Sequence, residues 1–341
     1  MKKIIIIIIA LVSFNIKLFA DTRSTVLLLH NGQGRTFEAS LLQTAITEAV
    51  TGDTICLSEG AYDVPKDTLV IDKPITIIGT GTSSCRIVGN IKVAIDGEPT
   101  LVARLLDAVR VTEKVIVCKA IKGIKLRKCW IGKFFWVNED IEAHDILIDR
   151  CFLNRFVLKK SIKSALIVNS VMVWQGYNTD SNKDDIFATG SNVTFVNCNI
   201  CLLDIYCNLA ATYQNCIIPA SNMSYAGFIK NNTFINTLFS KGSAGAALGN
   251  EENISRDNFV QNCWWGSVSC NRDSFNDEYP TFSVTKESLE AQGYLGTDGT
   301  VIGAEGGDTP YSLETDGIHI KESILKVDPE TRQLNVTLKV E

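Results

Sequence analysis

From residue 124 onward, apolar and polar positions alternate in short bursts, and the bursts repeat. Ile124-Lys125-Leu126-Arg127-Lys128-Cys129-Trp130-Ile131 returns as Ile146-Leu147-Ile148-Asp149-Arg150-Cys151-Phe152-Leu153. It returns again as Leu166-Ile167-Val168-Asn169-Ser170-Val171-Met172-Val173 and Val193-Thr194-Phe195-Val196-Asn197-Cys198-Asn199-Ile200, and residues 211–218, 227–235 and 258–264 continue the series. With the small residue as marker (Cys129, Cys151, Ser170, Cys198, Cys216, Thr233, Cys263), the intervals are 22, 19, 28, 18, 17 and 30 residues. The period of two and the β-branched content predict strands. A unit of about 20 residues is too short for helical-pair repeats and holds only a few short strands. Stacked units then form a solenoid, with equivalent residues about 4.8 Å apart. A column of small side chains suits a tight inward corner, and a column of Asn satisfies its amides along the axis. The cysteines of the repeat therefore read as small buried hydrophobes. A disulfide between stacked neighbours needs the right Cβ orientation as well as the short distance.

Upstream, Leu42, Ala45, Ile46 and Ala49 fall on one face of a short helix. Gly52-Asp53-Thr54-Ile55-Cys56-Leu57, Glu59-Gly60-Ala61-Tyr62 and Lys73-Pro74-Ile75-Thr76-Ile77-Ile78-Gly79 follow. Helix, first coils and repeats in this order resemble the pectin-lyase-like superfamily over residues 37–270, and the turn-rich stretch Gly296–Gly303 with Gly306 and Gly307 resembles the closing segment of exported Bacteroidetes-type β-helix proteins. The resemblance implies an all-β fold: a right-handed single-stranded parallel β-helix (solenoid) with an N-terminal capping helix. A cap is physically required, because a terminal coil otherwise exposes core and unpaired strand edges. Fold alone does not fix activity.

Both ends of the chain depart from the repeat. Lys2 and Lys3, the apolar run from Ile4 to Val12 and a small residue at Ala20 form the pattern of a secretory signal peptide over 1–20. The apolar run is too short to span a bilayer comfortably. The reading is an exported chain (periplasm, outer cell surface or secreted) with no transmembrane segment after cleavage. Residues 271–341 hold 14 acidic and 6 basic side chains, a net of -8. Ile318 to Val327 and Leu334 to Val340 read as two strands around Asp328-Pro329-Glu330-Thr331, and Leu334, Val336, Leu338 and Val340 alternate with polar residues, which predicts a C-terminal β-hairpin segment. That segment either covers the far end of the solenoid or forms an appended module. The organisation is thus 1–20 signal peptide, 21–270 capped solenoid and 271–341 acidic β segment.

Composition narrows the partners. The whole chain carries 38 acidic and 33 basic side chains, a formal net charge of -5. Nucleic-acid binding, which needs a strongly basic domain, is not expected. Eleven cysteines in 341 residues are too few for a disulfide scaffold, and export permits some pairing. Cys198 and Cys201 form a C-x-x-C, but no second pair completes four zinc ligands.

Function on a solenoid sits on insertions. The 28-residue unit between Ser170 and Cys198 carries Trp174, Tyr177, Asn178, Asp180 and Asn182, a set suited to a sugar: rings for the apolar pyranose face, amides and carboxylates for its hydroxyls. Asp180 and Asp184 are candidate Ca²⁺ ligands, although the EF-hand pattern is not completed. Asn178-Thr179-Asp180 is similar to the first motif of polygalacturonases. Inverting hydrolysis needs a second carboxyl, and the candidates are Asp184, Asp185 and Asp204. None of His30, His144 and His319 supplies the Gly-His of those enzymes downstream. Residues 104–163 carry 14 basic and 7 acidic side chains, and Lys122, Lys125, Arg127 and Lys128 crowd one coil near Trp130, Lys133 and Trp136. This is a candidate patch for an anionic polysaccharide. Trp264 and Trp265 are adjacent, so one points inward and one outward, and the outward ring is expected to pack beneath the C-terminal segment. With no complete catalytic set, the preferred reading is a non-catalytic polysaccharide-binding module. The alternatives are a polysaccharide lyase or glycoside hydrolase, and a structural adhesin or scaffold.

Overall fold

The computed structural model describes residues 24–95, 104–138, 141–156, 161–175, 192–203, 211–219, 231–241, 255, 258–270, 282–313, 320–327 and 334–340. The expected signal peptide lies outside the described residues. The chain forms an all-β parallel solenoid. The first sheet has twelve strands and ends at Phe259–Gln261, and the second has eleven and ends at Trp264–Gly266. A third face carries Ile121–Lys122 paired in parallel with Ala143–His144, and Ala143 bridges to Ile162 of the next coil.

Alternation decides what is inside. On the first sheet Leu126, Ile148, Ile167, Phe195, Tyr213 and Phe234 stand in register from coil to coil, and all are buried. Phe195 and Tyr213 stack at 4.9 Å between centroids, and Tyr213 and Phe234 at 5.0 Å. Such offset stacks add to plain burial. They also fix the register, because a slip of one residue would turn every ring out to solvent.

From Ala108 onward the coils turn between the first and second sheets on a residue with positive φ: Ala108, Lys128, Arg150, Asn169, Asn197, Asn215, Asn236 and Asn262. Asn tolerates this conformation best among non-glycine residues. The next residue is the small one, and it is more than a small hydrophobe. Cys129, Cys151, Ser170, Cys198, Cys216, Thr237 and Cys263 each donate from the side chain to the carbonyl two residues back, for example Ser170 Oγ to Val168 O at 2.7 Å and Cys198 Sγ to Val196 O at 3.3 Å. The same side chains accept from the neighbouring coil: Cys151 N–H donates to Ser170 Oγ at 3.1 Å, and Cys129 N–H to Cys151 Sγ at 3.4 Å. The carbonyls already accept from the corner N–H of the neighbouring coil, as Val168 O does from Arg150 N at 3.1 Å, so the side chain is a second donor to them. It is the Cys129 and Cys151 N–H groups that the neighbouring coil's side chain serves as acceptor. Alanine would fit the space but supply no partner. Cys129, Cys151, Cys198 and Cys216 are small and buried as expected, Cys263 is half-buried, and their thiols hydrogen-bond as well.

One unit of the repeat is displaced. The sequence pattern marks Thr233 as a corner, but the structure puts the corner at Asn236-Thr237, which lies 21 residues after Asn215-Cys216. Thr233 instead pairs with Thr212 inside the first sheet. Asn-Thr occurs at both places, and the choice is made by Phe234, which must face Tyr213 in the core. A further corner, Ala108-Val109, precedes the first expected unit; it lacks both Asn and Cys and so gives no motif.

At the N-terminal end, helix Leu42–Glu48 buries Leu42, Ala45 and Ile46, with Ala49 beside them, as the pattern predicts. An antiparallel hairpin, Thr25–His30 with Gln33–Glu38, extends the first sheet and pairs with its first solenoid strand, Thr54–Leu57.

Of the C-terminal segment, residues 282–313 pack along the flank of the solenoid. They return along the flank as a strap, against the direction in which the coils grow. Disulfide Cys201–Cys270 and the antiparallel bridge Cys270 to Phe282 fix its root. Tyr294 packs on Trp264 at 5.3 Å. Further along, Val301 and Ile302 pack with Ile217 and Leu238, and Ala304 with Phe152 and Val171. Tyr311 and Leu313 end the strap against the cluster that includes Trp130. The outward tryptophan is thus Trp264, beneath the C-terminal segment as expected, while Trp265 stacks on Phe239 at the core. Ile320–Val327 and Leu334–Val340 form the expected antiparallel hairpin.

Candidate functional site

The outer face of the second sheet is organised in rows, because parallel strands hold equivalent residues one coil apart. The row nearest the corner runs Arg86, Arg110, Trp130, Phe152, Val171, Asn199, Ile217, Leu238, Trp264. From Trp130 onward it lies under the strap. Its early end is cationic, and the Arg110 guanidinium sits 4.9 Å from the Trp130 ring.

A second row stands away from the strap. Strand Trp130–Val137 carries one extra residue, so register shifts between Ile131 and Phe134. The backbone comes close here: a Cβ on Gly132 would collide with the Thr112 carbonyl. Asn154 Nδ2 donates to the Gly132 carbonyl at 2.8 Å and ties down the bulge. A bulge re-aims the side chains that follow it. Here it sets Phe134 and Trp136 on the outer, partly exposed face while Phe135 and Val137 enter the core. Lys114 Nζ lies 5.3 Å from the Phe134 ring centre and Arg155 Cζ 4.9 Å from it. Arg155 stands in register with Phe134 on one side and with Trp174 on the other, and Trp174 in turn with Leu202. Trp136 is flanked in its own row by Ile116 and then Lys92. The result is a cationic and aromatic face that reaches the strand carrying Trp174.

The four lysines and arginines expected to form one patch do not share a face. Lys122 is on the third face, 3.7 Å from Asp145. Lys125 and Arg127 are on the outside of the first sheet, and Arg127 Nε donates to buried Asp107 at 3.1 Å. Lys128 occupies the positive-φ corner and is buried. Close spacing in sequence crosses a corner here, and the corner disperses the charge. Of the loop candidates, Trp174 is described in backbone only. Tyr177, Asn178, Asp180, Asn182, Asp184, Asp185 and Asp204, and with them the expected Ca²⁺ site, lie outside the described residues. Lys114 and Arg155 belong to the cationic face but were not among the expected residues; only their register reveals them.

The third face carries a short charged column. Glu142 accepts from Lys163 at 3.2 Å and lies 3.5 Å from His144 Nε2. These contacts, the Lys163 hydrogen bond first, hold the Glu142 carboxyl below the usual range. The corner thiols have the opposite electrostatics: burial pushes Cys151 and Cys216 well up. They remain protonated donors and poor nucleophiles. Among the described residues no three His, Cys, Asp or Glu side chains are grouped to hold a metal ion, and no helix is long and apolar enough to cross a membrane.

Compared with known proteins, the chain matches no family profile, no curated protein and no solved structure.

Proposed function

We propose that the protein is an exported, non-catalytic polysaccharide-binding solenoid of pectin-lyase-like type that takes an anionic glycan on the outer face of its second sheet. The observation that carries this reading is the cationic and aromatic face: Phe134 between Lys114 and Arg155, with Arg155 in register with Trp174. Guanidinium and ammonium groups suit carboxylate or sulfate substituents. Partly exposed rings suit the apolar faces of sugars, and rows one coil apart let an extended polymer lie along the solenoid axis.

The test is retention of the purified chain on a panel of acidic and neutral polysaccharides, with and without Ca²⁺, read together with release of unsaturated or reducing ends. Retention on acidic polymers alone, weakened at least about fivefold by Arg155→Ala as expected for loss of a charged contact, is the expected result. Equal retention on neutral polymers sinks the anionic reading. Release of product ends makes the protein an enzyme.

A further inference from the structure

The hairpin at the N-terminal end turns through two residues, Asn31 and Gly32, with His30 and Gln33 paired across the turn. Both central residues have positive φ, 49° and 82°, as a tight Asn-Gly hairpin turn requires. This is the one Asn-Gly step in the sequence, and both residues are exposed. The tip is linked to a buried carboxylate. Asp53 is only 6% exposed; its Oδ2 accepts from Val50 N at 2.8 Å and its Oδ1 from His30 Nδ1 at 2.7 Å. A carboxylate only accepts, so Nδ1 carries the ring proton and Nε2 is left as an acceptor. Asn31 Nδ2 donates to that Nε2 at 2.9 Å. Carboxylate, imidazole and side-chain amide thus form one relay, and the Gly32 N–H follows directly in the chain.

We propose that Asn31-Gly32 is a self-modification site, at which Asn31 is converted to aspartate and isoaspartate with His30 as the acid–base catalyst. Gly32 N attacks Asn31 Cγ, and the new C–N bond closes a succinimide ring. His30 Nε2 takes the Gly32 proton during the attack and returns it to Asn31 Nδ2. The Cγ–Nδ2 bond then breaks and ammonia leaves. Asp53 is a positioning residue: it holds the ring in this tautomer and stabilises the imidazolium that forms in between. Water opens the imide at one carbonyl or the other, which gives aspartate or isoaspartate. Gly32 has no Cβ to crowd the attacking nitrogen or to resist the backbone rotation that ring closure needs. In the product a carboxylate replaces the amide, and the His30 ring stands between it and Asp53. The mark therefore falls where the hairpin is tied to Asp53, whose other oxygen holds the chain just after the capping helix.

The experiment incubates the full chain at neutral pH, folded and in urea. The peptide carrying Asn31 is read by mass spectrometry for conversion of amide to acid, and by isoaspartyl methylation for the isomer. The folded parent is expected to convert Asn31 to both products. His30→Gln and His30→Asn each keep a donor for Asp53 at a half-exposed position, so the circular-dichroism spectrum should be unchanged. In the folded chain they should slow conversion at least about tenfold, a cautious bound against the ~10²-fold of a positioned acid–base group. In urea, where the relay is gone, parent and variants should convert at equal rates. A folded parent that keeps Asn31 intact while the chain in urea converts it overturns the proposal, because the turn then protects the step. So does equal conversion by the folded parent and the folded variants. Cleavage of the chain between Asn31 and Gly32 overturns it as well, since Nδ2 would then be the attacking group.

Discussion

The corner column is built from different residues in its two halves. In the later half the positive-φ position is Asn at every coil: Asn169, Asn197, Asn215, Asn236 and Asn262. In the earlier half it is Ala108, Lys128 and Arg150. The backbone conformation is the same throughout, so conformation alone does not select Asn. What differs is the surroundings. The strap runs over the later half, and the Asn side chains bind its backbone: Asn169 Nδ2 donates to Gly306 O at 2.6 Å, and Asn215 Oδ1 accepts from Thr297 N at 3.2 Å. In the earlier half the corner Arg150 forms two hydrogen bonds to Asp149 of its own coil. At Asn169 and Asn215 the corner amide satisfies the strap's backbone, and at Arg150 the corner cation meets a carboxylate of its own coil.

The largest expected effect comes from removing the strap's apolar anchor. Ile302 is fully buried against Ile217 and Leu238. Ile302→Ala should cost about 2–4 kcal/mol in denaturant unfolding, the usual range for a buried Ile truncated to Ala. A cost under about 1 kcal/mol, the size of an ordinary surface change, would mean that the strap is an accessory to the later half and not part of its core. The next effect compares two asparagines of one column. Asn169 lies beneath the strap and Asn262 is exposed beyond its root. Asn169→Ala strands the Gly306 carbonyl and should cost about 1–3 kcal/mol. Asn262→Ala loses only conformational preference and should cost about 1 kcal/mol or less. Equal losses would break the comparison, leaving Asn with a backbone role only.

The same contrast explains what the sequence discloses. The Asn-Cys corners are legible because φ, volume and hydrogen bonding all restrict the same two positions. Ala108-Val109 is a corner of equal geometry, yet it is invisible, because no strap lies there to demand an amide. Thr233 misleads for a related reason: the motif is local, while the choice between Thr233 and Thr237 is made by Phe234 facing Tyr213 across a coil. The strap is not legible at all. Phe152, Val171 and Ile217 read as strand residues in an apolar run, and nothing in their pattern says that a segment more than 80 residues later, at Gly303, covers Ile217. The candidate site divides in the same way. Trp174 stands out by composition, but its neighbours Arg155 and Phe134 are set by register and a bulge. Lys122 and Lys128, adjacent in composition, are separated by the coil's own geometry.

A smaller effect tests why the corner is Cys and not Ala. Cys198 Sγ donates to Val196 O at 3.3 Å and to Ile167 O at 3.5 Å. If hydrogen bonding matters there, Cys198→Ser should be tolerated better than Cys198→Ala, with a difference of about 0.5–1.5 kcal/mol in thermal unfolding. The reverse order would restore the purely hydrophobic reading of the column.

The smallest effect belongs to the third face. Glu142 is held as a carboxylate first by the Lys163 hydrogen bond, then by the Lys163 charge, then by His144. Its folded pKa is depressed, so the contribution is present above the unfolded value of about 4.3. It is lost as pH falls through the folded value. The pair is solvent-exposed, so the effect is small and screened by salt. Lys163→Met should therefore lower Tm slightly at neutral pH and low salt. The gap to the parent chain should shrink as pH falls below that unfolded value, and also at neutral pH when salt is raised. A gap that survives both acid and salt would show that Lys163 acts through its aliphatic stem and not through its charge. In that case the third face, like the one under the strap, would be held by packing.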